Sequence, residues 1–290
     1  MIIYRAVADL KRFINKSRAD NKTIGFVPTM GALHQGHLSL IELAKQQSDV
    51  VISSIFVNPT QFNDPADYKK YPVTLPEDIL KLETHRTDVL FLPSVEEIYP
   101  AGLEMKQHYD LGDLETVFEG KYRPGHFQGV SQVIEIFLNI VEPHLLFLGQ
   151  KDFQQCLVIK RLIQILNLPV KVVVAGTERE PSGLAMSSRN LRLNQDEREK
   201  ASAIYQTLRS IKNNYTDTPI DKLIDYSEKF LLREGFSKVD YVALANAETL
   251  EPVTGNDRNV PLVALVAAFI KDVRLIDNML LTSKENLVHS

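Results

Sequence analysis

The amino-acid sequence predicts an α/β protein in two parts, a doubly wound parallel sheet over residues 1–176 and a smaller α+β domain over residues 177–290. Three observations lead there. Up to Ala175, short apolar runs alternate with apolar residues at helical spacing. The runs are largely continuous rather than alternating apolar with polar, as in strands covered on both faces. From about Thr177 the order becomes helices first and strands after, the pattern of a small α+β unit.

Ile24 to Thr29 is the first apolar strand, and Leu38, Ile41, Leu43 and Ala44 recur behind it at helical spacing. Val50 to Val57 is a β-branched strand stopped by Asn58-Pro59. Pro76 to Thr87 reads as a helix, with proline in its first turn beside Glu77 and Asp78. Val89 to Leu92 is a strand; Val133, Ile134, Phe137 and Ile140 mark a helix; Leu145 to Leu148 is again a strand. A helix over Phe153 to Leu166 leads to a strand at Val170 to Ala175. The arrangement is Rossmann-like, and ligands of such sheets sit beyond the carboxyl ends of the strands. Beyond Thr177, helices over Asp196 to Lys212 and Ile220 to Glu234 precede strands at Val239 to Ala245 and Leu262 to Ile270. Glu180-Pro181-Ser182-Gly183 lies near the junction as a candidate hinge.

Composition narrows the function classes. The formal net charge is −4, so a non-specific nucleic-acid binder, which carries a basic stripe, is not expected. The longest apolar run, Pro261 to Ile270, is about half the ~20 residues of a membrane-spanning helix and reads as a buried strand. A lone Cys156 in an apolar stretch is a core residue rather than a nucleophile, and it offers neither a disulfide nor a zinc cluster. The N-terminus, Met1-Ile2-Ile3-Tyr4-Arg5, has no signal-peptide pattern, so a cytoplasmic protein is expected.

Three constellations can carry chemistry. Pro28 to His37 runs off the first strand into a helix, where His34 and His37 share a face at a terminus that favours anions, and Gly31 and Gly36 allow close backbone approach. The alternatives are a glycine-rich turn with incidental histidines and a metal pair, for which His-x-x-His alone is weak support. Gly149 to Gln155 follows another strand; Lys151 offers a point charge to phosphate, and Asp152 is either a ribose acceptor or a helix cap. Met186-Ser187-Ser188-Arg189-Asn190 is a phosphate clamp or a solvated surface.

Taken together, the His-x-Gly-His turn and the later Met-Ser-Ser-Arg resemble the paired signatures of the nucleotidyltransferase superfamily, which transfers adenylyl groups from ATP. Phe56 to Phe62, Glu119 to Val130 and Gly183 to Asn190 sharpen this to a resemblance to the pantothenate synthetase (pantoate–β-alanine ligase) family, with motifs in order along almost the whole chain. The resemblance implies a two-step ligation. Pantoate's carboxylate attacks the α-phosphorus of ATP to give pantoyl adenylate and pyrophosphate, and the amine of β-alanine then displaces AMP. It further implies that Met30, Gly31, Ala32, Leu33, His34, Gln35, Gly36 and His37 line the ATP site, with His37 as catalytic acid. Gly149, Gln150, Lys151, Asp152, Glu178, Met186, Ser187, Ser188 and Arg189 complete it. Gln61 and Gln155 hold pantoate, and Gln61 also lies near β-alanine. Mg²⁺ comes with the triphosphate, without a metal site of the protein's own, and the chain forms a homodimer.

The chemistry suits these residue types. A carboxylate needs no base for the first step; it needs charge stabilisation at phosphate, which His34, His37, Lys151, Arg189 and Mg²⁺ supply. Neutral glutamines suit hydroxyls and a carboxylate without repelling ATP. An acyl adenylate hydrolyses readily, so the second domain is expected to close as a lid. Gln150, Ile136, Glu178 and Val73 depart from residues common in the family (Glu, Lys, Val and Arg), and none removes a catalytic group. Ile136 is expected in the core. Another nucleotidyltransferase acting on a phosphorylated substrate would show further basic residues where Gln61 and Gln155 stand. A regulatory relic would have lost His37, Lys151 or Arg189.

Overall fold

The computed structural model describes residues 1–63, 65–105, 107–253 and 260–281. Residues 282–290, the end of the expected second domain, lie outside the described residues. Six strands form one parallel sheet in the order β1-β4-β3-β2-β5-β6: β1 (Ile2–Tyr4), β2 (Ile24–Thr29), β3 (Val50–Ile55), β4 (Val89–Phe91), β5 (Leu145–Gly149) and β6 (Lys171–Ala175). The central strands are buried on both faces, as their largely apolar runs require, with Ser53 and Ser54 of β3 buried among them. One face is covered by α1 (Val7–Ala19), α7 (His126–Val141) and α8 (Phe153–Ile165), through Leu10, Ile14, Phe137, Val141, Ile159 and Leu162. The other is covered by α2 (Gln35–Gln47) and α4 (Leu75–Thr84), through Leu40, Ile41, Ala44 and Leu82. Two short helices, α3 (Pro65–Lys69) and α5 (Val95–Ile98), and α6 (Phe118–Tyr122) lie in the connections.

Chain order runs outward in one direction from β2 to β4 and in the other from β5 to β6. β2 and β5 are hydrogen-bonded neighbours, with Phe26 opposite Leu146. The crevice beyond their carboxyl ends is therefore the switch point at which doubly wound sheets bind ligands. Both the segment from Met30 and the segment from Gly149 emerge there.

The second unit is a three-stranded antiparallel sheet, β7 (Lys238–Asn246), β8 (Leu262–Ile270) and β9 (Val273–Leu280), with β8 in the middle. Helices α10 (Ala203–Asn214) and α11 (Ile220–Arg233) pack on one face through Ile204, Leu208, Ile211 and Leu231. The other face meets the large domain, where Val263 and Leu265 join Phe118, Phe153 and Leu157. Pro261 to Ile270 is thus the buried central strand, as its composition predicts.

The expected helix over Asp196 to Lys212 is two helices, α9 (Gln195–Ala201) and α10, broken at Ser202. The Ser202 hydroxyl bonds the Glu199 carbonyl at 2.7 Å, a competing side-chain contact at the break. β1, α1 and β9 are additional to the elements read from sequence. The candidate hinge is a tight hairpin: Arg179 and Ala185 form a β-bridge, and Gly183, at φ +92°, lies against the Tyr205 ring. Arg179 stacks on the same ring at 4.4 Å and holds Asp277 through both carboxylate oxygens, at 2.6 and 3.0 Å.

Candidate active site

The His-x-Gly-His turn is built by hydrogen bonds that use up its own backbone. Gly31 and Ala32 take left-handed backbone at φ +82° and +49°. The Gly31 N–H donates to Thr29 Oγ1, and those of Ala32 and Leu33 donate to the two oxygens of Asp78, both at 2.8 Å. His34 then caps α2. Its Nδ1 accepts the Gly36 N–H at 3.2 Å, while Nδ1 of His37 accepts the His34 N–H at 3.3 Å. With Nδ1 accepting in both rings, the ring proton of each neutral imidazole resides on Nε2. The rings lie 4.1 Å apart. Burial, then His37, Lys151 and Lys81, press the pKa of His34 down to about 2. Burial likewise lowers His37 to about 4, with Lys151 and Lys81 assisting and Asp152 opposing. The pair therefore presents two neutral Nε2–H donors at neutral pH.

A cavity of about 230 Å³ opens beyond β2 and β5. It is lined by Met30, His34, Gly36, His37, Gln61, Gly149, Lys151, Asp152, Gln155, Glu178, Met186, Ser187, Ser188 and Arg189. Five residues expected in the ATP site are not among its described lining. The N–H groups of Ala32 and Leu33 are consumed by Asp78 on the α4 side, and Gly31 sits in the same turn. Gln35 is an exposed residue of α2. Gln150 turns its side chain to Asn278 at 3.2 Å, and Asn278 in return donates to the Gln150 and Lys151 carbonyls.

Three cations reach this region, each beside a carboxylate. Lys151 contacts Asp152 at 3.3 Å, Arg189 contacts Asp67 at 2.9 Å, and Arg123 lies 3.8 Å from Glu119. Burial opposes ionisation of Asp152, yet Lys151, Arg189 and Arg123 together hold its carboxyl below the usual range. Burial similarly works against the Arg189 charge, and Asp67 more than restores it. Arg192 extends the chain of ion pairs to Asp67 and Asp272, and Lys70 closes on Asp272. The Ser188 hydroxyl donates to the Ala32 carbonyl at 3.0 Å, tying the Met186–Arg189 segment to the first turn.

Gln61 ends the short 3₁₀ turn Pro59–Gln61, locked by Asn58, whose side-chain amide donates to Gln61 Oε1 and to the Gly129 carbonyl, both at 3.1 Å. Gln61 Nε2 has the Met30 sulfur at 3.1 Å, a weak acceptor that a substrate oxygen displaces readily. Gln155 faces the cavity from α8, whereas its neighbour Gln154 bonds the Leu114 and Val117 carbonyls and is structural.

Arg123 and His126 carry no role in the sequence reading, although both lie inside one of its motifs. His126 Nδ1–H donates to the Gln61 carbonyl at 2.7 Å, which leaves Nε2 to accept from Arg123 at 3.0 Å. Burial, followed by the Arg123 charge, lowers His126 to about 3. A buried guanidinium is thereby coupled to the Gln61 turn. Only a strongly polar residue at the mouth of an apolar helix signals this from sequence. Cys156 is buried on α8 with its thiol pushed up to about 12, mainly by burial, and is no nucleophile. Ile136 packs against the large core, as expected.

Comparison with known proteins agrees with this geometry. The family model for pantoate-beta-alanine ligase matches residues 2–280. The pantothenate synthetase of Thermotoga petrophila is 44% identical over 283 residues, covering 97% of this chain and 100% of that protein. The crystal structure of pantothenate synthetase from Thermus thermophilus superposes with a TM-score of 0.89 at 37% identity, covering 98% of this chain and 100% of that one. The pantoate-beta-alanine ligase of Francisella tularensis, solved with beta-gamma ATP and beta-alanine, gives 0.82 at 39% identity, with 98% of each chain covered. A matching family model along nearly the whole chain, on a fold that brings the same motifs to one crevice, means that the chain belongs to the pantoate–β-alanine ligase family.

Proposed function

We infer that this chain ligates pantoate and β-alanine to pantothenate, consuming ATP and releasing AMP and pyrophosphate through pantoyl adenylate. The observation that carries the reading is one cavity holding neutral histidine donors, Lys151 and Arg189 at one switch point, with Gln61 and Gln155 in the same wall. In the first step the pantoate carboxylate oxygen attacks the α-phosphorus and the α–β bridging bond breaks. Nε2–H of His34 and His37, Lys151 and Arg189 hold the charge gathering on the phosphoryl oxygens and the departing pyrophosphate. His37 works here as a fixed hydrogen-bond donor, since its low proton affinity and occupied Nδ1 leave no imidazolium at rest. Gln61 and Gln155 orient pantoate. In the second step the neutral amine of β-alanine attacks the acyl carbon and the bond to AMP breaks. β-Alanine also carries a carboxylate, and Arg123, joined to the Gln61 turn through His126, is the cation placed for it.

The remaining parts of the ATP site are assigned to Met30, Gly36, Gly149, Asp152, Glu178, Met186, Ser187 and Ser188. Among the described residues no three His, Cys, Asp or Glu side chains converge on a metal position. Asp152, an ionised carboxylate in the cavity wall, would fit a Mg²⁺ carried by the triphosphate. The ion would supply neutralisation of phosphate charge. We place the domain boundary after Gly176, so that Ser187 to Arg189 form the closing wall over residues 1–176. A cytoplasmic homodimer completes the proposal; β1 is an open sheet edge with Ile2 and Ile3 exposed, a face that a second copy would cover. No helix of the described residues is long and apolar enough to cross a membrane.

The decisive experiment is ATP–pyrophosphate exchange without β-alanine. Exchange that requires pantoate, with a pyrophosphate burst near one per site, supports the reading. Exchange indifferent to pantoate, or AMP release without β-alanine at the full rate, overturns it.

A further inference from the structure

Asp78 lies on α4, 1% exposed, and is not among the described residues lining the cavity. Its carboxylate takes one N–H on each oxygen, Ala32 on Oδ2 and Leu33 on Oδ1, and Oδ1 also accepts the Thr74 hydroxyl at 3.1 Å. Lys81, one turn further along α4, donates to the Leu33 carbonyl at 2.6 Å. Successive N–H groups in a turn that passes through left-handed backbone form a concavity suited to an anion, the kind that elsewhere cradles phosphate. Here the anion is a side chain of the protein. Gly31 is confined by it: a Cβ there would lie 3.2 Å from Asp78 Oδ2 and 3.1 Å from Ile55. Ala32 keeps left-handed backbone without glycine's freedom, a conformation that needs support from its surroundings.

We propose that Asp78 is a positioning residue for adenylate formation: its carboxylate fills the anion nest of Gly31–Leu33 and so fixes His34 and His37 with their Nε2–H groups toward the triphosphate. The proposal rests on the ligase reading above. An aspartate fits because both oxygens only accept. An asparagine offers one acceptor and turns its NH₂ against the second N–H, while alanine leaves an empty nest.

The test uses Asp78→Asn and Asp78→Ala in the full chain. Misplacement of about 1 Å costs roughly 10²-fold in rate, so Asp78→Asn should lose kcat for pantoate-dependent exchange by that order while KM for pantoate is unchanged. Nitrogen chemical shifts of the two imidazoles, measured without substrate, should move from a pure Nε2–H form toward averaged tautomers. In Asp78→Ala, formate should restore exchange saturably and formamide should not. Full kcat in Asp78→Asn, or imidazole signals identical to those of the unsubstituted chain, would overturn the proposal. If Asp78→Ala does not fold, the imidazole signals of Asp78→Asn decide. Absence of exchange in the unsubstituted chain would instead sink the ligase reading, leaving the imidazole signals to judge the clamp.

Discussion

Replacing Gly129 by alanine should impair the use of pantoate about 10²-fold and also cost the fold some stability. Gly129 lies in the first turn of α7, where the chain presses against the Pro59–Gln61 turn. A Cβ at this position would sit 2.5 Å from the Thr60 carbonyl carbon and 2.8 Å from the Gln61 Cα. Ordinary contact begins at 3.4 Å, so the turn must retreat by about 1 Å, and Gln61 with it. The Asn58 bond to the Gly129 carbonyl stretches at the same time. A shift of that size at a positioning residue costs roughly 10²-fold, or about 2.7 kcal/mol of transition-state stabilisation. Overpacking itself costs about 1–3 kcal/mol of stability, a fall of several degrees in thermal midpoint. The assay is pantoate-dependent ATP–pyrophosphate exchange across a pantoate titration, beside a melting curve. A variant that keeps kcat/KM for pantoate although its melting point falls as expected would show that the Gln61 turn is not the pantoate wall.

Arg123→Gln should spare pyrophosphate exchange and depress pantothenate formation, since only the second substrate meets that cation; equal losses in both half-reactions would refute the placement of β-alanine. Arg189→Lys should recover part of the exchange lost in Arg189→Ala, because an ammonium's donors radiate from one nitrogen and cannot reproduce the planar fork that would bridge Asp67 and phosphate; full recovery would reduce Arg189 to a point charge. Folded His34, His37 and His126 all bind protons more weakly than their ordinary 6.5. As pH falls from 7 toward 4, the unfolded imidazoles take up protons that the folded ones refuse, so stability should fall with pH across that window. His126→Gln should make the decline in melting temperature shallower, and an unchanged slope would count against the buried neutral form.

Legibility follows how local each signal is. The parallel sheet is readable because β2, β3 and β5 are covered on both faces and therefore apolar almost throughout, and the same holds for β8 in the smaller sheet. β9 is not, because Arg274, Asp277 and Asn278 interrupt it with polar groups whose partners are distant: Glu119, Arg179 and the Gln150 carbonyl. β1 is only three residues and pairs solely with β4, too short for a periodicity. α1 does carry a pattern, with Leu10, Ile14 and Ser17 on its buried face, but apolar residues elsewhere on it blur the stripe. In the candidate site, His34, His37, Lys151 and Arg189 are legible because each sits in a short contiguous motif. Asp78 is visible only as an acidic residue in a helix's first turn, since its true partners lie more than forty residues upstream. Gly31 to Leu33 suggest backbone donors for phosphate, and nothing local reveals that a carboxylate from α4 has taken them.

The pairing of Lys151 and Arg189 with carboxylates bears on how tightly the nucleotide can be held. In the proposed site these two cations meet an incoming triphosphate already engaged with Asp152 and Asp67. Binding is therefore an exchange of anions, in which phosphate oxygens displace or share contacts that the protein already makes internally. Its net free energy is a difference between two sets of charge-assisted bonds rather than the full strength of the new one. The internal pairs spare the protein the cost of bare buried cations. Pyrophosphate, once severed from the adenylate, competes with internal carboxylates ready to reclaim their partners, and departs without needing a second ligand to drive it out.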